Sequence, residues 1–236
     1  MTSAVGVEVA QSAFQQAGSG AIPTTALQPF HVAPVSFNVA SKVITEHHYL
    51  HSMPGGTKLS FGVFSNGKLA GAMVIGAGSV NARGLVNGSL QADCTSLTRL
   101  WLSDELPRNT ESKVISIVIR SLKKHTSLKF LVSYADPSAG HIGTIYQATG
   151  WLYTGLSEAT PLYDIGDGKV RHSRSLSSLF GTHSVAHFIG KGIPVRTIPQ
   201  TAKHRYIYFL DKSWRNSLAV PVLPFPKKES PSDEDR

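Results

Sequence analysis

The sequence predicts an α+β fold, with mixed α/β character, in which a central mixed sheet is flanked by helices. Two apolar runs flank Asn66-Gly67, the dipeptide most typical of a β-hairpin turn. An amphipathic segment, residues 111–125, lies between two short apolar segments, 96–102 and 130–135, of the kind that form buried strands. Helix and strand patterns alternate in this way over about 120 residues, which is typical of a layered fold.

Each element follows from a local pattern. Residues 36–50 are predicted to be a helix, because apolar side chains recur there at helical spacing. The helix over residues 111–125 has an Ile/Val face and a last turn rich in Lys, which complements the helix dipole. The remaining predicted elements are a helix at 143–149, a strand at 151–154, a helix at 184–189 and a strand at 204–210.

Composition limits the class of protein. Apolar residues make up 41% of the 236 residues and charged residues 16%, as expected of a folded domain. The longest apolar runs fall short of the roughly 18 residues that a membrane span needs, so we expect no membrane partner. The N-terminus has no pattern of a signal peptide. Cys94 is the single cysteine, so no disulfide can form within the chain, and a reducing cytoplasm fits.

Charge is concentrated in one part of the chain. Residues 171–215 contain eight Lys or Arg and one acid, Asp211, which gives this segment a net charge of +7. Such a segment indicates a polyanion partner, most simply nucleic acid, although an ordinary basic surface that aids solubility is the alternative. We predict a flexible arm at 1–29, a main domain at 30–215 with a basic extension at about 156–215, and a Pro-rich and charged tail at 216–236, which we expect to be disordered from Leu223 onward.

The stretch YADPSAGHIGTIYQATGW, residues 134–151, places an acid and a phenol at a predicted strand-to-helix corner. Asp136 ends the strand, where partial burial would raise its pKa towards that of a general base. Asp136 would equally serve as the cap of a helix beginning near Gly140. Tyr146 in that helix would donate to a leaving group or a carbonyl oxygen, or be a core tyrosine with a satisfied hydroxyl.

Three further residues are candidates for a site. Arg99 lies in the middle of a strand, where a buried cation needs a partner, either Asp136 or a phosphate. His48 and Tyr49 lie at the end of the first predicted helix. There Tyr49 would stack on a flipped base, or the pair would belong to a solvated helix end.

A metal site has a weaker signal. His183 and His187, spaced i, i+4 on one helical face, are a candidate metal pair, but no third ligand completes a zinc signature.

Two resemblances sharpen these interpretations. The order of the elements resembles that of the N-acetyltransferase (GNAT) superfamily, in which a helix at the position of IYQATGW often supplies a tyrosine as general acid. Longer blocks are similar to the phage Mom family of DNA adenine-modification proteins, over roughly residues 48–228. These blocks are LTRLWLSDELPRNTESK, SYADPSAGHIGTIYQATGWLYTG, TPLYDIGDGKVRHSRS, FGTHS, KHRYIYFLDKSWR and VPVLPFPKK.

The resemblances imply a fold and a function. They imply a GNAT-like acyltransferase fold and an enzyme that converts the N6 amine of adenine in double-stranded DNA to N6-carbamoylmethyladenine. This change hides phage DNA from host restriction nucleases, so the expected location is the host cytoplasm. Iron has been proposed for the family, and a homodimer is a further expectation. The alternatives are an N-acetyltransferase acting on a protein or small-molecule amine, and a non-enzymatic nucleic-acid-binding protein.

The acyl donor is the least determined partner. Acetyl-CoA enzymes of this fold hold the pyrophosphate in a Gly-rich turn before a helix, but residues 107–113 keep only an arginine, and Glu111 would repel a phosphate. Arg108, Asn109 and Ser112 are the candidate cofactor-binding residues. The donor is then acetyl-CoA or an activated glycine such as glycyl-tRNA, which makes tRNA a candidate partner. The candidate DNA contacts are Arg171, Arg174, Lys203 and Arg205.

Overall fold

The computed structural model describes residues 30–78 and 80–227. The predicted arm at 1–29 and the last nine residues of the tail lie outside these ranges. The strands are β1 (Phe30–Pro34), β2 (Thr57–Ser65), β3 (Lys68–Gly76), β4 (Cys94–Leu102), β5 (Phe130–Ala135), β6 (Leu152–Leu156), β7 (Leu162–Asp164), β8 (Val170–His172), β9 (Arg196–Ile198) and β10 (His204–Phe209). The α-helices are α1 (Phe37–His47), α2 (Thr110–His125), α3 (Thr144–Gln147), α4 (Ser173–Phe180) and α5 (Val185–Gly190).

The described residues contain a seven-stranded mixed sheet in the order β1-β2-β3-β4-β5-β10-β6. Strands β1 to β4 are antiparallel neighbours, whereas β4 and β5 run parallel and pair from Cys94–Phe130 to Ser96–Val132. The predicted class, an α+β fold with a central mixed sheet, is therefore confirmed.

Local sequence explains the ends of the principal elements. Asn66 and Gly67 have φ values of 50° and 73°, the left-handed pair that a two-residue hairpin turn requires. Helix α1 begins at Phe37 because Ser36 caps it, accepting a hydrogen bond from the backbone N–H of Val39. The apolar face of α2, including Val114, Ile115, Val118 and Leu122, is fully buried.

The chain divides into two compact units. Within the described ranges, the first comprises residues 30–134, 143–155 and 205–227, and it contains the central sheet. The second comprises residues 135–142 and 156–204. It has its own three-stranded sheet, β8-β7-β9, and a small core of Ile165, Leu176 and Phe188. The predicted basic extension is thus divided, because most of β10 lies in the first unit.

The beginning of the tail is packed rather than disordered, so that expectation is wrong for the described residues. The backbone N–H of Ala219 donates to Leu85 O at 2.8 Å, and that of Leu223 donates to Tyr153 O at 2.9 Å. The Phe225 ring stacks 6.5 Å from the ring of Tyr206. Apolar side chains interrupt the prolines here, and they supply contacts that a composition argument overlooks.

A search of the described residues finds no helix that is both long and apolar enough to cross a membrane.

Candidate active site

Tyr146 is held by a hydrogen-bond chain that starts on the central sheet. The Ser133 hydroxyl, on β5, lies 2.8 Å from both Leu97 O of β4 and the Tyr146 hydroxyl. A carbonyl oxygen can only accept, so Ser133 donates to Leu97 and the Tyr146 O–H donates to Ser133. The O–H bond of Tyr146 therefore points towards Ser133, and the Tyr146 oxygen has a lone pair with which it can accept a hydrogen bond from a substrate.

The electrostatic environment keeps this phenol protonated. Tyr146 is 6% exposed. Burial raises its pKa to about 12, the Ser133 hydrogen bond opposes the rise, and Tyr49 and Tyr206 add to it. At neutral pH Tyr146 therefore acts as a neutral hydrogen-bonding group and not as a phenolate.

Tyr49 is the exposed member of the same neighbourhood. Its side chain is 47% exposed, and its ring stacks on His48 with 4.4 Å between centroids. Burial lowers the pKa of Arg99, and the Tyr49 phenol opposes that shift. Tyr49 and Ser52, whose carbonyl oxygen accepts a hydrogen bond from Arg99, belong to the same loop after α1.

The supports of this neighbourhood come from the loop after α1. His48 is buried, and its Nδ1 accepts from the backbone N–H of Leu50 at 3.1 Å, so a neutral His48 carries its proton on Nε2. Arg99 donates from Nε to Ser52 O at 3.0 Å and from a terminal nitrogen to Thr98 O at 2.7 Å. Asp136 was predicted as the partner of Arg99, but the hydrogen-bond acceptors of Arg99 are the backbone carbonyl oxygens of Ser52 and Thr98.

Asp136, in the second unit, has a different role from the one predicted. Its Oδ1 accepts from the backbone N–H of Ser138 at 3.0 Å and from the Ser138 hydroxyl at 2.6 Å. Its Oδ2 lies 3.0 Å from Lys203 Nζ. Burial alone would raise its pKa, but these hydrogen bonds and the Lys203 charge outweigh burial and lower it. The predicted rise in pKa is therefore wrong.

The corner also differs in its local structure. Asp136 caps a single 3-10 turn, Pro137–Ala139, and the helix expected near Gly140 begins only at Thr144. The capping role that the sequence offered for Asp136 is confirmed, for a shorter element. The predicted convergence of Asp136 with Tyr146 stays a prediction.

Glycine at position 143 sets the entry into α3. Gly143 has a φ of 81°, and a Cβ built there would lie 2.3 Å from Cε2 of Tyr206. The Tyr206 ring is fully buried and packs 5.2 Å from the ring of Tyr146. Close approach of the backbone to this ring therefore requires glycine, and it positions the first turn of α3.

The turn before α2 contains a left-handed residue although it has no glycine. Asn109 takes the left-handed conformation, φ 65°, that a glycine would otherwise supply, and asparagine tolerates it best among other residues. The Ser112 hydroxyl is used internally, donating to Asn109 O at 3.1 Å. Glu111 lies in the first turn of the helix. The backbone of this turn suits a phosphate, whereas the Glu111 carboxylate opposes one.

The structure gives the predicted metal pair no support. His183 precedes α5, which begins at Val185, so His183 and His187 do not share a helical face as predicted. His183 Nδ1 instead bonds the Ser177 hydroxyl at 2.8 Å. Across the described part of the chain, no group of three or more His, Cys, Asp or Glu is placed to hold a metal ion. The iron that the resemblance implied has no ligand set of this kind here.

The predicted DNA contacts are mostly engaged in internal pairs. Arg171 makes two hydrogen bonds, at 2.7 and 2.6 Å, with the Asp167 carboxylate. Lys203 pairs with Asp136, and Arg205 donates to the hydroxyl and carbonyl of Thr154. The Arg174 side chain lies outside the described part of the structure. The DNA contacts therefore stay a prediction, and the charges of Arg171 and Lys203 are partly neutralised.

Comparison with known proteins identifies the family. A model of the Mom protein family matches residues 29–227. The chain belongs to the Mom protein family. Among curated proteins, this Mom-family chain is 28% identical over 202 residues, 83% of each chain, to a protein named methylcarbamoylase mom from Escherichia phage Mu. Its architecture also has solved counterparts. An N-acetyltransferase from Staphylococcus aureus Mu50 matches with a TM-score of 0.43 and 10% identity, over 77% of the Mom-family chain and 97% of its own.

A protein named IAA acetyltransferase from Bacillus cereus ATCC 14579 matches with a TM-score of 0.45 and 9% identity, over 76% of the Mom-family chain and 99% of its own. Likenesses at this level say nothing about substrate.

Sequence reasoning missed the contacts of two residues in this Mom-family chain. Ser133 fixes the direction of the Tyr146 phenol, and the only signal for it was a small polar residue within the apolar strand FLVSYA. Lys203 was assigned to DNA, but its ion pair joins residues 67 positions apart, for which a single sequence carries no signal.

Proposed function

We propose that this chain converts the N6 amine of adenine in double-stranded DNA to N6-carbamoylmethyladenine, and so protects phage DNA from restriction in the host cytoplasm. The observation that carries this proposal is the match to the methylcarbamoylase of phage Mu, which extends over 83% of both chains. The family match over residues 29–227 supports it. The site geometry supplies the groups that such a reaction needs.

Tyr49 is proposed to receive the flipped adenine. The N6 amine of a paired adenine is enclosed in the duplex, so the base must leave the stack before an acyl group can reach it. An exposed aromatic ring replaces the stacking that the base loses, and Tyr49 is exposed, yet braced by the His48 ring at 4.4 Å. Stacking of this kind contributes about 1–3 kcal/mol per base.

Arg99 and Tyr146 are proposed to act on the acyl group and the amine. A cation near the reacting carbonyl stabilises the negative charge that develops on its oxygen, and Arg99 remains protonated despite the lowering of its pKa by burial. The Tyr146 oxygen, with its proton committed to Ser133, can accept a hydrogen bond from the N6 amine. This contact orients the nitrogen lone pair towards the carbonyl.

Asp136 is proposed as the proton acceptor. Its lowered pKa keeps it ionised at neutral pH, so it is always available, although its basicity is weak. Proton loss from the amine accompanies formation of the new C–N bond, when the nitrogen has become far more acidic. A weak carboxylate base is sufficient at that stage.

The donor is proposed to be an activated glycine, glycyl-tRNA. Attack of N6 on the glycyl ester forms an amide and releases the tRNA 3′-hydroxyl. The glycyl amine then attacks C6 through a five-membered ring and expels the amide nitrogen, which takes up the proton that the amine loses. The product, N6–CH2–CO–NH2, is an isomer of the glycyl amide, so no oxidant or further nitrogen source is required. An acetyl group alone contains no nitrogen for the terminal amide.

One experiment separates the donors. Purified chain and duplex DNA are incubated with 13C-labelled glycyl-tRNA or with 13C-labelled acetyl-CoA, and the nucleosides are analysed by mass spectrometry. We expect label in adenine from glycyl-tRNA only. Label from acetyl-CoA only would reject the glycyl route, while N6-acetyladenine or an acetylated protein amine would indicate an ordinary N-acetyltransferase.

A further inference from the structure

The second unit exposes large apolar side chains on a helix–turn–helix. Helices α4 and α5 are joined by a four-residue turn that starts at Gly181. Leu179 is 63% exposed, Phe180 46% and Ile189 61%. The small core of this unit is formed by other residues of the same helices, Leu176 and Phe188. Three large apolar side chains on so short a segment indicate a contact surface rather than scattered exposure.

Packing within the unit braces one of these side chains, Phe180. The Phe180 ring packs edge-to-face against Phe188, with 5.5 Å between centroids and 89° between ring planes, and Phe188 is 1% exposed. Gly181 ends α4 in the left-handed conformation, and its N–H donates to Ser177 O at 2.9 Å. The Ser177 hydroxyl bonds His183 across the turn at 2.8 Å. A preorganised aromatic side chain loses little conformational entropy when it inserts into a partner.

The charge of the sequence around α4 and α5 indicates an anionic partner. Residues 168–210 contain no Asp or Glu and seven Lys or Arg, of which Arg171, Arg196 and Lys203 pair with the carboxylates of Asp167, Asp164 and Asp136. Lys191 directly follows α5 and is exposed. The other exposed side chains of α4, the turn and α5 are serines, histidines and Ala186, which can lie against phosphates without repulsion. Apolar side chains within an acid-free, basic segment are complementary to a duplex, whose backbone is anionic and whose base steps are apolar.

We propose that the α4–α5 helix–turn–helix is a wedge that inserts Phe180 and Leu179 between base pairs of duplex DNA. The proposal rests on the proposed function, in which adenine must leave the duplex. Apolar wedges separate neighbouring base pairs and kink the helix, and that distortion lowers the cost of flipping a nearby base. The wedge thus supplies a means of opening the duplex that is separate from the chemistry at Tyr49 and Tyr146.

The test uses the full chain and a matched pair of leucines. Leu179→Ser removes the wedge side chain that lies outside the small core, and Leu90→Ser removes a leucine of similar exposure, 66%, from the first unit. Affinity is measured by anisotropy with a duplex carrying 2-aminopurine beside an adenine, without any acyl donor. We expect Leu179→Ser to bind about tenfold more weakly and to lose the rise in 2-aminopurine fluorescence, because the wedge then lacks an apolar side chain that it would bury between base pairs.

The remaining outcomes are distinguishable. Equal affinity and equal fluorescence for Leu179→Ser, Leu90→Ser and the unmodified chain would overturn the wedge. A change in oligomeric state in sedimentation velocity, with DNA binding unaltered, would assign the surface to a second copy of this chain instead. The wedge is tested by DNA binding without an acyl donor, whereas the proposed function is tested by detection of the modified nucleoside. A duplex opened by a mismatch at adenine should restore modification by Leu179→Ser.

Discussion

Replacing Gly143 by alanine should show how closely the start of α3 is fitted to the aromatic core. The new Cβ would lie 2.3, 2.7 and 2.9 Å from three atoms of Tyr206, all closer than carbon contacts allow. The Tyr206 ring is fully buried, so it cannot swing into solvent. The positive φ of 81° costs an alanine about 1–2 kcal/mol, and overpacking adds about 1–3 kcal/mol. We therefore expect a loss of roughly 2–5 kcal/mol in the free energy of unfolding.

Gly150 provides the matched control. It has a φ of 76°, but nothing lies within 4 Å of a Cβ built there, so Gly150→Ala carries only the backbone cost. Both variants also gain the same unfolded-state entropy term, which cancels in the comparison. Urea unfolding gives the difference directly, and thermal unfolding should show it as roughly 2–4 °C per kcal/mol. Equal stability of the two variants would refute the claim that Tyr206 demands glycine at position 143.

Three other perturbations follow from the site. Asp136→Asn should destabilise the chain at neutral pH, because it removes the ion pair with Lys203. The pKa of Asp136 is lowered in the folded chain, so the stability that the ion pair contributes is lost as pH falls below 3.8, the ordinary pKa of an aspartate. The urea midpoints of variant and parent should therefore converge in acid. Ser133→Ala should cost about 1–3 kcal/mol, since Leu97 O loses its donor and Tyr146 its acceptor, and a double-mutant cycle with Tyr146→Phe should show strong non-additivity. A pH profile of the modification rate should show no change from ionisation of Tyr146 below about pH 11, because burial raises the pKa of Tyr146 to about 12.

Patterns within one element were predictable from the sequence. The hairpin at Asn66-Gly67 is confirmed because only a left-handed pair joins two strands by so short a turn. Helix α2 is confirmed within one residue of its predicted start because its apolar face is continuous. The helix at 184–189 and the strand at 204–210 also occur, and Ser184 caps the former as its residue type suggests.

Contacts between distant parts of the chain were not predictable. Asp136 was expected to pair with Arg99, but Lys203 takes that place, and the choice among cations depends on where the loops of the second unit run. His183 was placed on a helix from spacing alone, although Ser184 is an N-capping residue, so the helix begins at Val185 and His183 lies before it. Asn109 shows a different limit of sequence-based prediction. The segment before α2 has no glycine, yet Asn109 adopts the left-handed conformation there.

The central claim is tested most directly by the nucleosides of DNA exposed to this chain. DNA is isolated from cells that express the chain or its Tyr49→Ala variant, digested to nucleosides and analysed by mass spectrometry. The account predicts N6-carbamoylmethyl-deoxyadenosine with the unaltered chain and its loss with Tyr49→Ala, while both chains accumulate as folded protein. Unmodified adenine in DNA from cells that contain the folded, unaltered chain would contradict the proposed function.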